Sequence, residues 1–244
     1  MRLKLTFTSL KNKIKIPLHY HHLVQAMLYR NLPSDVSDFL HNIGFFYKNR
    51  SFKLFSFSKI LSKKVEIKNS EIIFDTPVTL YVSSAVNDYP KNWAEFFIKR
   101  ENIRLGNEQL ILESIEVVKP PDFKQPNIIK TLSPITVYRT FTQNNGKKYR
   151  QYYFPQNPEF KELLKENIRK KYELITGNEL LEFKFSITPI FKPAIRYLKF
   201  GEYNVKSVEG SFKINLAPDI FGAIYDAGLG VKNSQGFGMV EILS

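Results

Sequence analysis

Four histidines are the residues of this chain best suited to moving protons near neutral pH, and they fall in two places. His19, His21 and His22 cluster where a helix begins; His41 stands alone in the last turn of a short second helix, just before Gly44. The spacing from His19 to His22 could turn two imidazoles to one side, as a metal site needs, yet no carboxylate accompanies them at ligand spacing. They read as surface or N-terminal helical histidines. His41 differs, because the negative end of a helix dipole favours an imidazolium there. Its local alternative is to hydrogen-bond the last helix carbonyls.

The second chemical feature is the stretch Gly228-Leu229-Gly230-Val231-Lys232-Asn233-Ser234-Gln235-Gly236-Phe237-Gly238. Glycines permit positive φ and close backbone approach, so such a loop can aim several N–H groups at a phosphate. It has neither the G-x-G-x-x-G spacing of a dinucleotide site nor the Lys-Ser/Thr ending of a P-loop. Lys232, inside the loop, is the best single anion contact. Lys184, Lys192, Arg196, Lys199 and Lys213 add cations, interleaved with Phe191 and Tyr197, the combination that serves phosphates and bases. The alternative for these is a solvated sheet edge guarded by lysines.

Composition limits the rest. The 244 residues carry 36 Lys and Arg against 23 Asp and Glu, a formal charge of +13. Residues 1–122 hold 18 basic and 12 acidic residues and the remainder 18 and 11, so the excess is not a basic tail. A polyanionic partner accounts for it, as would compositional drift toward lysine. The absence of cysteine excludes disulfides, thiolate catalysis and Cys-ligated metals. No apolar run approaches the ~20 residues of a membrane span. The N-terminal Met1–Phe7 alternation reads as a first strand, not a signal peptide, so a cytoplasmic protein without membrane partners is expected.

These residues must be positioned by elements the pattern suggests. Strand-like Arg2–Leu10 precedes a helix over about Leu18–Leu32; Pro33 interrupts it, and Ser34 or Asp35 caps a short helix through Leu40 that Gly44 ends. Phe52–Ile60 alternates as a half-buried strand, Val65–Ile67 and Ile72–Phe74 flank a hairpin turn, and Val78–Val82 is a further strand. A helix over Asn92–Lys99 and a strand over Leu110–Val118 close the first half. Lys119-Pro120-Pro121-Asp122 marks a boundary. Beyond it, Ile135–Tyr138 is strand-like and Asn145-Gly146 a hairpin turn. The clearest helix runs over Pro158–Ile175, with Asn157 as N-cap, Gly177 beyond its end, and Phe160, Leu163, Leu164, Ile168, Tyr172 and Ile175 as its apolar stripe. Strands over Phe183–Ile187 and Phe212–Leu216, a short helix from Pro218 to about Tyr225, and a strand over Gly238–Leu243 complete the chain. Two successive β-α-β-β-α-β units predict an α+β fold of tandem ferredoxin-like (RRM-like) domains. Their expected extents are 1–119 and 127–244, with 120–126 as linker.

The G-L-G-x₅-G-F-G arrangement, with Lys53-Leu54-Phe55, Thr131–Ile135 and Lys232–Val240, resembles the CRISPR-associated repeat-processing endoribonucleases of the repeat-associated RNA-binding superfamily. The resemblance covers essentially the whole chain. It implies a tandem ferredoxin-like fold and a catalytic histidine, tyrosine and lysine, which local context matches to His41, Tyr29 and Lys53. RNA contacts are expected at Lys192, Arg196, Gly230, Lys232, Asn233, Ser234, Gly236 and Gly238. The implied activity is metal-independent cleavage of CRISPR repeat RNA by 2′-hydroxyl attack, with no cofactor. The implied setting is a monomer or homodimer, working alone or passing its product to an interference complex. The alternatives are a non-catalytic RNA-binding subunit of the same superfamily and a generic nucleic-acid-binding module. A valine at Gly236 is expected to disturb binding or folding far more than alanine at Asn233.

Overall fold

Alternation in the first strand, β1 (Arg2–Thr8), puts Leu3, Leu5 and Phe7 on one face of a sheet and Arg2, Lys4 and Thr6 on the other. In the computed structural model, which describes residues 1–200 and 203–243, the apolar face is covered by α1 (His21–Arg30) and, beyond the short α2 (Ser34–Asp38), by α3 (Asp88–Lys99). Val24, Met27 and Leu28 of α1 and Trp93 and Phe97 of α3 supply the buried side chains, and the Trp93 indole donates to Leu28 O at 3.0 Å. With β2 (Phe55–Phe57), β3 (Val78–Ser84) and β4 (Glu108–Val118), the antiparallel strand order is β4-β1-β3-β2.

The second half repeats this order. β5 (Asn127–Thr131), α4 (Pro158–Thr176), β6 (Ser186–Pro189), β7 (Ser211–Asn215), α5 (Pro218–Ile224) and β8 (Val240–Leu243) form a sheet ordered β8-β5-β7-β6. Phe160, Leu164 and Ile168 of α4 and Phe221 and Ile224 of α5 fill a separate core. Each half is thus β-α-β-β-α-β with the same strand order, and the fold is a tandem of ferredoxin-like units. Among the described residues no helix is long and apolar enough to cross a membrane.

The units dock through the sheet faces their own helices leave open. Arg2 is buried there, donating to Val240 O at 2.8 Å and to the Tyr225 hydroxyl at 3.1 Å, with Asp226 3.4 Å from its Nε. Ser83 donates to Asp226 O at 2.9 Å, and Lys59 N to Leu132 O at 2.9 Å.

Several expected elements shift. The alternating stretch Phe52–Ile60 contributes only Phe55–Phe57 to the sheet, and Ser56 between the two phenylalanines is as buried as they are. Its face is covered by the second unit, so the alternation does not separate core from solvent. The Phe183–Ile187 strand begins later, at Ser186. Lys13–Pro17, to which the sequence pattern assigns no element, forms an additional strand beside the Val65–Lys68 and Glu71–Asp75 hairpin. α4 keeps its expected start at Pro158 and left-handed Gly177, but the Asn157 side chain accepts from Phe154 N instead of a helix N–H. Its buried stripe also contains two polar residues, Asn167 and Lys171.

Candidate active site

Past α2 the chain makes one wide π-helical turn, Phe39–Ile43, closed by a Gly44 N–H bond to Phe39 O at 2.8 Å. Gly44 has φ 73°, and a Cβ there would stand 2.6 Å from Phe52 O, so glycine lets this turn lie against the Phe45–Tyr47/Arg50–Phe52 hairpin. His41 is in that turn, exposed, as the sequence suggested. Its Nδ1 is 2.9 Å from Asn42 Oδ1. An amide oxygen can only accept, so Nδ1 carries the proton and Nε2 is the nitrogen left to take or return one.

The hairpin delivers Lys53, and at the next residue the backbone turns sharply: Leu54 takes φ 52°, a left-handed conformation for a branched side chain. Leu54 O is held there by Ala85 N at 3.1 Å and Ser84 Oγ at 2.9 Å. Lys53 consequently lines a cleft of about 460 Å³ between the two units, and its Nζ lies 3.5 Å from His41 O. Burial lowers its pKa. Tyr29, on α1, meets the His41 ring edge-on at 6.1 Å between centroids and the cleft-lining Phe55 at 5.9 Å. Burial pushes its phenol up to about 12, so at neutral pH it is a hydroxyl donor and not a base. The three residues matched by context therefore form one contiguous group.

The opposite wall of the cleft is the glycine-rich loop, through Gly230, Lys232, Asn233 and Ser234. Burial, with Arg150 nearby, pushes the Lys232 ammonium down to about 8. Gly236 and Gly238 lie behind this wall, buried: a Cβ on Gly236, at φ 83°, would stand 2.5 Å from the Phe57 ring and 2.9 Å from His21 Nδ1. Their place in the packing is between units and not on the open face of the cleft. Lys192 and Arg196 do not line the cleft either; Arg196 Nε pairs with Glu209 at 2.7 Å, and Lys59 shares the same carboxylate. A larger hollow of about 600 Å³ near Met1, Arg2 and Tyr81 contains none of the sequence-matched residues.

His21 departs from its expected exposure. It is buried between Phe57 and Phe237, its Nδ1 donates to Gln235 O at 3.2 Å, and burial drives its pKa down to about 4. One turn on, Gln25 donates to Ser234 O at 2.8 Å. His22 instead faces Phe200, and His19 accepts from Lys199 N at 3.3 Å, so the three rings diverge. α1 is therefore a support for the glycine-rich loop.

The residue that sequence reading missed is Lys171. It is fully enclosed on α4, with Nζ at 2.5 Å from Gly228 O, 3.0 Å from Gly230 O and 2.7 Å from Asn233 Oδ1. Burial pushes its ammonium down to about 7, yet three acceptors converge on it, and an ammonium has one donor for each. Its only sequence signal is a lysine inside an apolar helix stripe, next to Tyr172 and three residues after Ile168. Asn233 completes the clasp, donating to Leu229 O and Phe237 O at 3.0 Å each. Asn233, expected from sequence as an RNA contact, is thus also a structural tie of the loop.

Two family models match the chain: one described as CRISPR-associated protein Cas6, N-terminal, over residues 15–116, and one as CRISPR associated protein Cas6, C-terminal, over residues 118–242. A CRISPR-associated endoribonuclease Cas6 of Methanocaldococcus jannaschii is 29% identical over 242 residues, covering 98% of this chain and 92% of that one. The CRISPR-associated endoribonuclease Cas6 of Pyrococcus furiosus is 26% identical, over 93% and 84% of the respective chains. A solved structure described as CRISPR associated protein Cas6 superposes with a TM-score of 0.82 at 27% identity, over 100% of this chain and 99% of that one. Another, described as an RAMP protein binding different RNA substrates, has the same fold, with a TM-score of 0.85 at 23% identity and complete coverage of both chains.

Proposed function

The chain belongs to the Cas6 family of CRISPR-associated proteins, and on that premise we propose that it is an endoribonuclease that processes CRISPR repeat RNA into guide RNAs. The observation that carries this reading is the cleft in which Lys53 faces Lys232 and the glycine-rich loop, with His41 and Tyr29 grouped beside Lys53. The relatives described as endoribonucleases support the reaction class.

RNA brings its own nucleophile, the 2′-hydroxyl, so the protein must remove its proton, steady the charge on the phosphorane and protonate the departing 5′-oxygen. His41 Nε2 moves a proton, as base or acid. The Tyr29 hydroxyl, held protonated by burial, donates to and orients the reacting groups. Lys53 stabilises the negative phosphorane. The products are a 2′,3′-cyclic phosphate and a 5′-hydroxyl, without a divalent ion in the chemical step. Lys232 and the backbone of Gly230–Ser234 hold the RNA backbone, from the second of two units that we divide as 1–119 and 127–244.

The test is incubation with the repeat RNA of the protein's own locus in excess chelator, followed by end-group analysis. Cleavage at one position with a cyclic phosphate is expected. A strict Mg²⁺ or Mn²⁺ requirement overturns the mechanism. Tight, selective binding without any cutting leaves the fold serving as a non-catalytic RNA-binding subunit.

A further inference from the structure

The hairpin formed by Tyr138–Thr142 and Lys148–Tyr152 stands on the second unit and takes no part in either ferredoxin-like sheet. Between 138 and 152 it carries Arg139, Lys147, Lys148 and Arg150 and no Asp or Glu. Its pairing register sorts the side chains. Tyr138, Arg150 and Tyr152 share the face held to the body, where the Tyr152 hydroxyl donates to Asn204 O at 3.2 Å. Arg139, Phe141 and Tyr149 share the opposite face. There Phe141 and Tyr149, directly across from each other, stack with planes 24° apart and centroids at 5.5 Å. Phe141 and Tyr149 remain 39% and 44% exposed, an aromatic surface that the described residues leave partly open.

That face opens onto a groove of about 290 Å³ between the hairpin and α4, with Arg50, Arg139, Phe141 and Lys170 among its walls. The groove shares Arg50, Tyr138, Thr140 and Asn167 with the main cleft, so a strand lying in the cleft can run directly into it. Its volume falls just short of the roughly 300–1,000 Å³ of drug-sized ligand pockets and suits a single planar group with its sugar. Glu162 lies 3.7 Å from Arg139, and Glu166 pairs with Lys170. Arg50 has no carboxylate within 4.0 Å among the described residues, which leaves it for a phosphate. Flat aromatic faces beside cations are how proteins hold unpaired bases.

We propose that this groove takes an unpaired nucleotide of the RNA where the strand leaves the cleft, its base stacked on Phe141, whose ring Tyr149 backs from outside the groove, and its phosphate on Arg50 and Arg139. The inference rests on the RNA-processing reading above. It adds a contact that adjoins the cleft at Arg50 and uses no residue expected from sequence to touch RNA.

The probe is repeat RNA carrying 2-aminopurine at one unpaired position at a time. Stacking on the hairpin should quench one position on addition of the wild-type protein. The paired variant Phe141→Ala/Tyr149→Ala should abolish that quenching and weaken binding about 5- to 100-fold. Tyr149→Phe, which keeps the ring, should behave as wild type. A repeat trimmed of its unpaired nucleotides should bind wild type and the alanine variant equally. If wild type binds the full repeat tightly but quenches no position, or if the alanine variant keeps full affinity and quenching, the nucleotide site is overturned while the RNA-processing reading stands. If wild type does not bind repeat RNA, both fall together. Protection only of paired segments would mean the hairpin meets an RNA duplex, and that also overturns the proposal.

Discussion

The ammonium nitrogen of Lys171 stands 2.7 Å from the amide oxygen of Asn233, a contact that spans 62 positions of sequence and joins α4 to the glycine-rich loop. The same nitrogen holds Gly228 O and Gly230 O, while the Asn233 amide N–H₂ reaches Leu229 O and Phe237 O. One lysine and one asparagine therefore bind the two ends of the loop to each other and to the helix behind it. The loop presents Lys232 and Ser234 to the cleft in a shape set before any ligand arrives.

Lys171→Met should remove the donor for three enclosed acceptors and lower stability by about 2–4 kcal/mol. Asn233→Ala should cost a similar amount, and the pair should be strongly non-additive because both act on one clasp. Urea unfolding of the two single variants and the double variant measures this. Additive losses would mean the residues act independently.

Gly236→Val should be among the most damaging loop substitutions, with a loss of roughly 3–5 kcal/mol, because it combines a left-handed backbone with collision against Phe57 and His21. The check is thermal unfolding, with RNA binding measured well below the transition. A melting temperature equal to wild type would show that the inter-unit packing at Gly236 can yield.

His41→Ala should slow single-turnover cleavage by about 10²–10⁴-fold and leave equilibrium RNA binding nearly unchanged. Tyr29→Phe and Lys53→Ala should show smaller or comparable rate losses with RNA still bound. Cleavage at the wild-type rate by His41→Ala would remove it from the reaction.

His21 supplies a stability change with pH. Its folded value of about 4 lies below the ordinary histidine value of 6.5, so the unfolded chain binds the extra proton first. The neutral ring's contribution is complete above pH 6.5 and is lost as pH falls through 4, by roughly 3 kcal/mol in total. Urea midpoints of wild type should fall across that window. His21→Asn, less stable at pH 7, should lose most of this slope; an unchanged slope would point to other groups.

Local chemistry explains which parts of the chain were legible. α4 announces itself because Pro158 and Gly177 act on their own backbone, and Gly44 ends the preceding turn for the same reason. The alternation of β1 names the face under the helices. What sequence could not carry are groups whose partners come from the other unit. Ser56 and His21 look exposed until the second unit covers them, and Lys171 looks like a charge in a stripe until the loop 57 residues on supplies its acceptors. The proposed trio Tyr29, His41 and Lys53 rests on family resemblance, since each residue alone has an ordinary surface or packing role.

The wide turn at Phe39–Ile43 makes chain length, more than residue identity, the sensitive variable around His41. Its Gly44-to-Phe39 bond spans five residues where an α-helix would span four. Loss of one codon inside it would let the segment relax into ordinary helix, and each residue of an α-helix turns the chain by about 100°. His41 would remain in the sequence and the fold would survive, but the imidazole would swing away from Tyr29 and Lys53. Under the proposed mechanism, a lineage could retire cutting in this way by a single-residue deletion, keeping the cleft, the loop and every matched residue type. Among relatives, the spacing between Pro33 and Gly44 is therefore as informative as the presence of the histidine.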